Sequence, residues 1–230
     1  MSILPTKDLR LELKFVSKDY NYDLIYSWLK FHNYNFKKEY EDRIINNIYF
    51  DTLSLASFEA NIKENSKRFK VRFRWFDSFN NKKNGNLEIK SKDNIYGWKD
   101  RFPINKIQVS ENKNWKEIYK KIVDSVPANI KTLLKEYSIP VIINQYCRKY
   151  FVSSNGKFRI TIDRNQKNYD QLNRSKPNLS KNCELSDSLV LEVKFNKEDE
   201  TQLKNLLSDI PIKYSKNSKY VNAVKNSYGL

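Results

Sequence analysis

The sequence predicts an α+β domain: an antiparallel β-barrel lined with basic side chains and covered on its outside by helices. Three observations predict it. Several segments alternate apolar and charged residues with a period of two. The charged positions are dominated by Arg and Lys, and stretches of helical period lie between these segments.

The first alternation runs over residues 9–15, where Leu9, Leu11, Leu13 and Phe15 interleave with Arg10, Glu12 and Lys14. The second covers residues 68–75, with Phe69, Val71, Phe73 and Trp75 set against Arg68, Lys70, Arg72 and Arg74. Over residues 87–92, Leu87 and Ile89 oppose Glu88, Lys90 and Lys92. Tyr146, Arg148 and Tyr150 share a face opposite Cys147, Lys149 and Phe151. Arg159, Thr161 and Asp163 alternate with Phe158, Ile160 and Ile162, and Leu189, Leu191, Val193 and Phe195 with Val190, Glu192 and Lys194. Successive side chains of a strand point to opposite faces, so most of these segments carry one apolar and one charged face.

An open antiparallel sheet with its polar face in water would show the same period. A solvated face, however, mixes Thr, Ser, Gln, Lys and Glu, whereas here Arg and Lys recur at adjacent positions. Like charges side by side on a strand repel, and a bound polyanion relieves them. Closing the sheet turns the charged faces into a lumen and the apolar faces outward. Helices must then cover the outside, and residues 19–31, 115–126, 129–137, 198–207 and 219–225 supply them. Ile118, Ile122 and Val126 fall at helical spacing, as do Leu203, Leu206 and Ile210. The Asn- and Lys-rich stretches 80–86 and 165–182 read as long polar loops. Neither divides the chain, so residues 1–230 are expected to form one domain.

Composition narrows the partner. Forty-three Lys and Arg against 27 Asp and Glu leave a formal charge of +16, which points to nucleic acid, an anionic membrane or a phosphate-rich small molecule. Cys147 and Cys183 are the only cysteines and His32 the only histidine, too few for a zinc site or a disulfide framework. His32 lies in an aromatic-rich helical stretch, which speaks against a catalytic role. The N-terminal residues show no signal segment, and no apolar run approaches the roughly 20 residues needed to cross a bilayer. A soluble protein in a reducing, cytoplasmic setting is the expectation.

A set of short motifs occurs in a fixed order along the chain: Arg10-x-Glu12-x-Lys14, Tyr49-Phe50-Asp51-Thr52, Arg72-Phe73-Arg74-Trp75, Leu87-Glu88-Ile89-Lys90, Tyr146-x-Arg148, Arg159-x-Thr161-x-Asp163, Leu191-Glu192-Val193-Lys194 and Ser218-Lys219-Tyr220. That ordered set resembles the polyphosphate polymerase (VTC) domain of the triphosphate tunnel metalloenzyme superfamily, from about Arg10 to Val224. The resemblance implies an eight-stranded tunnel that binds triphosphate and a divalent metal, Mn2+ or Mg2+. It also implies transfer of the terminal phosphate of ATP onto a growing inorganic polyphosphate chain, with release of ADP. By the same resemblance Lys14, Arg72, Arg74, Lys90, Arg148 and Arg159 hold the reacting phosphates. Arg10, Tyr146, Lys194, Ser218 and Lys219 are further substrate contacts. Lys99 or Arg101 supplies another cation, and the spacing leaves open which of them faces the tunnel. Glu192 matches the metal-binding carboxylate and Glu12 is the second candidate ligand. The alternative role for Glu12 and Glu88 is that of internal counter-ion. Tyr49, Phe50 and Trp75 read as packing residues, and Asp163 as the end of a strand.

The chemistry stands beside the resemblance. Arg forks and Lys ammonium groups neutralise a triphosphate and hold its oxygens in line, and phosphoryl transfer depends mainly on such positioning. A carboxylate suits Mg2+ or Mn2+, and neither His nor Cys is needed. Hydrolases of related branches open with two glutamates in an E-x-E-x-K strand, and Arg10 stands where the first of them would be. This departure favours the polymerase over a triphosphatase acting on inorganic or nucleoside triphosphate. A non-enzymatic nucleic-acid binder fits less well, because the aromatics of residues 68–75 alternate to the face opposite the arginines and a narrow lumen excludes duplexes. Members of the family in eukaryotes carry membrane helices that this chain does not show, so a separately encoded membrane partner is compatible with it.

Overall fold

A computed structural model describes residues 10–77, 79, 83–94, 96–184 and 188–230. Leu9 and residues 80–82 of the first expected loop, together with the side chain of Arg10, lie outside the described part.

The elements in chain order are β1 (Arg10–Lys18), α1 (Tyr22–Phe31), β2 (Lys37–Asp51), α2 (Ala56–Ile62), β3 (Lys67–Phe76), β4 (Lys83–Asp93) and β5 (Tyr96–Ile107). Then follow α3 (Trp115–Asp124), α4 (Ala128–Glu136), β6 (Ile139–Val152), β7 (Arg159–Asp170), β8 (Cys183–Glu184), β9 (Ser188–Asn196), α5 (Glu200–Leu207) and α6 (Lys219–Tyr228). One antiparallel sheet holds every strand, in the order β1-β9-β7-β6-β2-β3-β4-β5, with the short β8 on β7. It curls until β1 returns against β5, but no backbone ladder joins these two among the described residues. The tunnel is therefore closed on that side by side chains, not by a continuous ring of peptide hydrogen bonds. Among these is an ion pair from Lys90 on β4 to Glu12 on β1, at 3.4 Å.

The apolar faces point outward, and the helices cover them. Val71, Phe73 and Trp75 of β3 pack with Ile48, Ile143, Leu87 and Ile104 beneath Trp115, Ile118 and Ile122 of α3 and Leu134 of α4. Ile160 and Ile162 of β7 with Leu191 and Val193 of β9 are covered by Ile25 and Leu29 of α1 and Leu206 of α5. A third cluster lies on the lumen side, where Tyr49 of β2, in register with Arg72, and Ile142 of β6 meet Tyr220, Val221, Ala223 and Val224 of α6. Burial of these side chains gives about 25 cal/mol per Å² of apolar surface and fixes which face of each strand is left for the lumen. Gly85 is required where β4 crosses β3: a Cβ there would collide with the carbonyl oxygen of Arg74 and the ring of Phe73.

Four expectations change. Residues 83–86 are not part of a loop but the start of β4, and α6 packs on the lumen side of the sheet and not on its outside. Residues 165–170 are not a polar loop but the second half of β7, where Asn168 is fully buried. Asp163 consequently lies in mid-strand and does not end it. β2 and β5 carry no clean alternation, and the reason differs: residues Ile45–Asp51 of β2 are buried on both faces, while β5 is an edge strand containing Gly97 and Pro103.

Candidate active site: a basic tunnel

The register of the ladders brings the charged positions together. On β1 and β9, Glu12 pairs with Lys194 and Lys14 with Glu192. On β3, β4 and β5, Arg72 stands opposite Glu88 and Glu88 opposite Arg101, while Lys70 faces Lys90 and Lys90 faces Lys99. On β6 and β7, Arg148 pairs with Asp163. Directly paired residues point to one side of a sheet, so all of these share the lumen face.

Glu88 is the hub of one wall. Its buried carboxylate receives Arg72 at 2.6 Å, Lys99 at 3.2 Å, Arg101 at 3.5 Å and Arg74 at 3.8 Å. Burial alone would raise the pKa of Glu88, but Arg72, Arg74 and Lys99 outweigh it and hold the carboxyl far below the usual range. Both Lys99 and Arg101 thus belong to the tunnel side, Lys99 more deeply, with 24% of its side chain exposed against 62% for Arg101. Burial, reinforced by Arg74, Arg72 and Arg101, pulls Lys99 down to about 7 in spite of Glu88. The hydroxyl of Tyr49 accepts from Arg72 at 3.3 Å while its ring stacks on Tyr220, so Tyr49 is both a packing and a lumen residue.

The opposite wall is built on Arg148. Its guanidinium donates from Nε at 2.6 Å and from Nη2 at 2.7 Å to the two oxygens of Asp163, and Nη2 also approaches Glu192 at 3.4 Å. Lys219 reaches Asp163 at 2.6 Å and lies 4.8 Å from the centre of the Tyr146 ring. Burial raises the Tyr146 phenol, but Arg148 and Arg74 more than offset it and the net shift is downward. Arg74 donates to the Tyr146 hydroxyl at 3.4 Å, which links the two walls.

Lys219 owes its position to an aspartate that does not line the tunnel. The carboxylate of Asp51 accepts from the backbone N–H groups of Ser57 at 2.9 Å and Phe58 at 3.1 Å in the first turn of α2, and from the hydroxyl of Tyr220 at 2.6 Å. It caps one helix and docks another. Ser218 caps α6 by accepting from Val221 N–H at 3.2 Å, and its hydroxyl accepts from Lys70 at 2.7 Å. Lys70 is a lumen cation absent from the motif-derived set, although its alternation with Arg68 and Arg72 puts it on the same face. Burial and the neighbouring Lys14 and Lys90 hold its pKa well below the usual lysine value.

Glu12 and Glu192 sit diagonally on adjacent strands. Glu12 pairs with Lys14 at 3.0 Å and Lys90 at 3.4 Å, while Glu192 is approached by Arg148 at 3.4 Å, the Thr161 hydroxyl at 3.4 Å and Lys194 at 3.6 Å. Against the effect of burial, Lys194, the Glu12 side chain and Lys14 keep Glu192 well below the carboxylate range. Burial disfavours charge on Lys14, yet Glu12 and Glu192 hold its ammonium well above the ordinary value. Among the described residues no three or more His, Cys, Asp or Glu side chains gather as a ready-made metal cage. Two hard carboxylates fit a cation such as Mg2+ or Mn2+, which keeps several waters and takes further oxygens from phosphate. Arg159 stands apart from the deep cluster, at a mouth shared with Lys157 and Lys194, where it pairs with Glu39 at 3.5 Å. His32 lies outside the tunnel among Trp28, Tyr34 and Phe36, its Nε2 3.3 Å from the Leu206 carbonyl.

An antiparallel sheet curled around facing walls of Arg and Lys, with helices outside, defines a tunnel-fold protein built to hold a polyanion. Residues 9–228 match the family model of the VTC domain, and the chain belongs to that family. Two solved structures share the fold. One is a Hippeastrum protein studied as an adenylyl cyclase and found to have a dominant triphosphatase activity, at 13% identity and TM-score 0.52 over 96% of each chain. The other is a Vibrio parahaemolyticus protein assigned as an adenylate cyclase, at 12% identity and TM-score 0.51 over 93% of this chain and 96% of that one. At such identities the likeness is one of fold. No curated protein matches the chain. No helix among the described residues is long and apolar enough to cross a membrane.

Proposed function

We propose that this chain, acting as a single tunnel domain, is a polyphosphate polymerase that transfers the terminal phosphoryl group of ATP to the end of an inorganic polyphosphate chain. The P–O bond between the β- and γ-phosphates breaks and a new P–O–P linkage forms, leaving ADP. One observation carries this reading over hydrolysis: the lumen carboxylates are engaged by cations. Glu88, Asp163 and Glu192 are all held below their usual range, Asp163 because Arg148 and Lys219 outweigh its burial. A general base that deprotonates water works best with a pKa near the operating pH. A polyphosphate terminus is already an oxyanion and needs no base. It needs its repulsion with the γ-phosphate cancelled.

Arg72 and Arg148, locked by Glu88 and Asp163, present fixed guanidinium edges to the phosphate oxygens from opposite walls. Lys14, Lys90, Lys70 and Lys219 add charge nearer the seam and α6, and Arg74 with Tyr146 spans the walls. Lys194 and Arg159 extend the positive track to the mouth, and Lys99 with Arg101 adds charge beside Glu88. Such preorganised charge stabilises the transferring group without reorganisation at the moment of reaction. Glu12 and Glu192 would hold a divalent cation, which would supply positive charge against the phosphates.

Incubation of the protein with ATP and Mn2+, followed by gel electrophoresis, tests the reading. A ladder of polyphosphate with matching ADP is the expected result. Free phosphate without polymer would replace the polymerase by a triphosphatase.

A further inference from the structure

Arg74 does not end in solvent. Its Nε donates to the Oδ1 of Asn47 at 2.9 Å, and Asn47 is fully buried on the neighbouring strand. Asn47 stands in register with Asn144 of β6, and Asn144 with Asn168 of β7. Arg74, Asn47, Asn144 and Asn168 therefore form one row across four consecutive strands, and all three amides are inaccessible to solvent.

The row has a direction. A guanidinium only donates, so the oxygen of Asn47 must face Arg74 and its amide nitrogen must face away, which removes the usual ambiguity of an amide. At the far end the Nδ2 of Asn144 donates to the Oδ1 of Asn168 at 2.7 Å. Between them, the Nδ2 of Asn47 and the Oδ1 of Asn144 are a donor and an acceptor on directly paired residues, and among the described residues neither has a partner, nor has the Nδ2 of Asn168. Buried amides cost free energy unless they are matched, so a neutral row of this kind is unfavourable as packing alone. Its polarity is consistent along its length: oxygen toward Arg74, nitrogen away from it.

We propose that Asn47, backed by Asn144 and Asn168, is a positioning residue for Arg74. The acceptor on Asn47 fixes the Nε edge of the guanidinium and turns the Nη edge toward Tyr146 and the lumen, where phosphate oxygens bind. A carboxylate in that place would hold Arg74 by charge and compete with the phosphate. A neutral amide orients it and adds no second negative charge to that of Glu88, whose carboxylate lies 3.8 Å from the same Nε. This rests on the tunnel being a phosphate site, and not on whether the acceptor is phosphate or water.

The test is a double-mutant cycle read by calorimetric binding of inorganic tripolyphosphate, with Asn47→Leu, Arg74→Lys and the double variant, each checked for folding by thermal melting. Lysine has no Nε–H edge to be oriented. With Arg74 intact, Asn47→Leu should weaken binding about five-fold or more, and in the Arg74→Lys background it should change little, the signature of residues that act as a unit. Should Asn47→Leu not fold, Asn47→Ser, whose oxygen is too short to reach Nε, takes its place in the cycle. Equal weakening in both backgrounds, or none in either, overturns the positioning role while leaving the tunnel reading intact. Failure of the wild-type chain to bind tripolyphosphate overturns both.

Discussion

Arg148 and Asp163 meet through two parallel hydrogen bonds at 2.6 and 2.7 Å, with both side chains withdrawn from solvent. The aspartate also takes Lys219, so a single carboxylate keeps two cations at the mid-tunnel wall. Removing it takes the carboxylate from Lys219 and leaves Arg148 only the longer contact to Glu192 at 3.4 Å, and breaking a buried pair costs about 3–5 kcal/mol. Asp163→Ala is expected to lose stability on that scale in denaturant unfolding. Added tripolyphosphate, which resupplies negative charge, should restore part of it.

Glu88 plays the same part for more partners. Glu88→Gln keeps the shape and removes the charge that gathers Arg72, Arg74, Lys99 and Arg101. The empty protein should melt at a lower temperature than wild type. The rise in melting temperature on adding tripolyphosphate should be larger, because the ligand then relieves more repulsion. An equal rise in both proteins would show that Glu88 is not the compensating charge.

Lys99 gives the tunnel a pH dependence. With its pKa at about 7 in the free protein, Lys99 is increasingly neutral above that value, whereas a bound phosphate favours the ammonium. Binding must then take up a proton, and affinity should fall as pH rises from about 6 to about 9, by at most about tenfold per unit from this group. Lys99→Arg, whose charge persists throughout, should make the profile less steep, the remaining slope coming from Lys90, pulled down to about 8, and from Lys70. Calorimetric titration of tripolyphosphate into both proteins across this range measures it, and the ligand's own ionisation cancels in the ratio.

Glu192 separates a metal ligand from a counter-ion. If it holds the cation, Glu192→Gln should lower Mn2+-dependent turnover about 100-fold. Metal-free binding of tripolyphosphate, meanwhile, should stay equal or tighten, since a negative charge has left the lumen. Parallel loss of both would assign Glu192 to organising Arg148 and Lys194.

Much of this site is legible in the sequence. Strands whose inner face is charged and outer face apolar announce themselves by period two, which is why Arg72, Arg148, Glu192 and their neighbours can be placed on one surface. The ordered motifs then supply the tunnel. What the pattern misses has physical causes. Residues 45–51 lie between a helix-covered face and α6, so both faces are buried and the period vanishes; Asn47 hides there. Within residues 165–170 Asn165 and Lys167 are exposed while Asn168 is buried in an amide row, and in the sequence the buried amide is indistinguishable from its exposed polar neighbours. The role of Asp51 as a joint between α2 and α6 depends on contacts over 169 residues of sequence separation to Tyr220, which no local spacing records.

Among the described residues no ladder joins β1 to β5, and this has a mechanical meaning. A ring sewn throughout with peptide hydrogen bonds has one circumference, whereas this wall is fastened on one side by Lys90 and Glu12, groups that ions in solution screen within about 10 Å at moderate salt. It is a clasp and not a pipe. Rising salt should loosen such a clasp, where it would leave a continuously hydrogen-bonded ring unchanged.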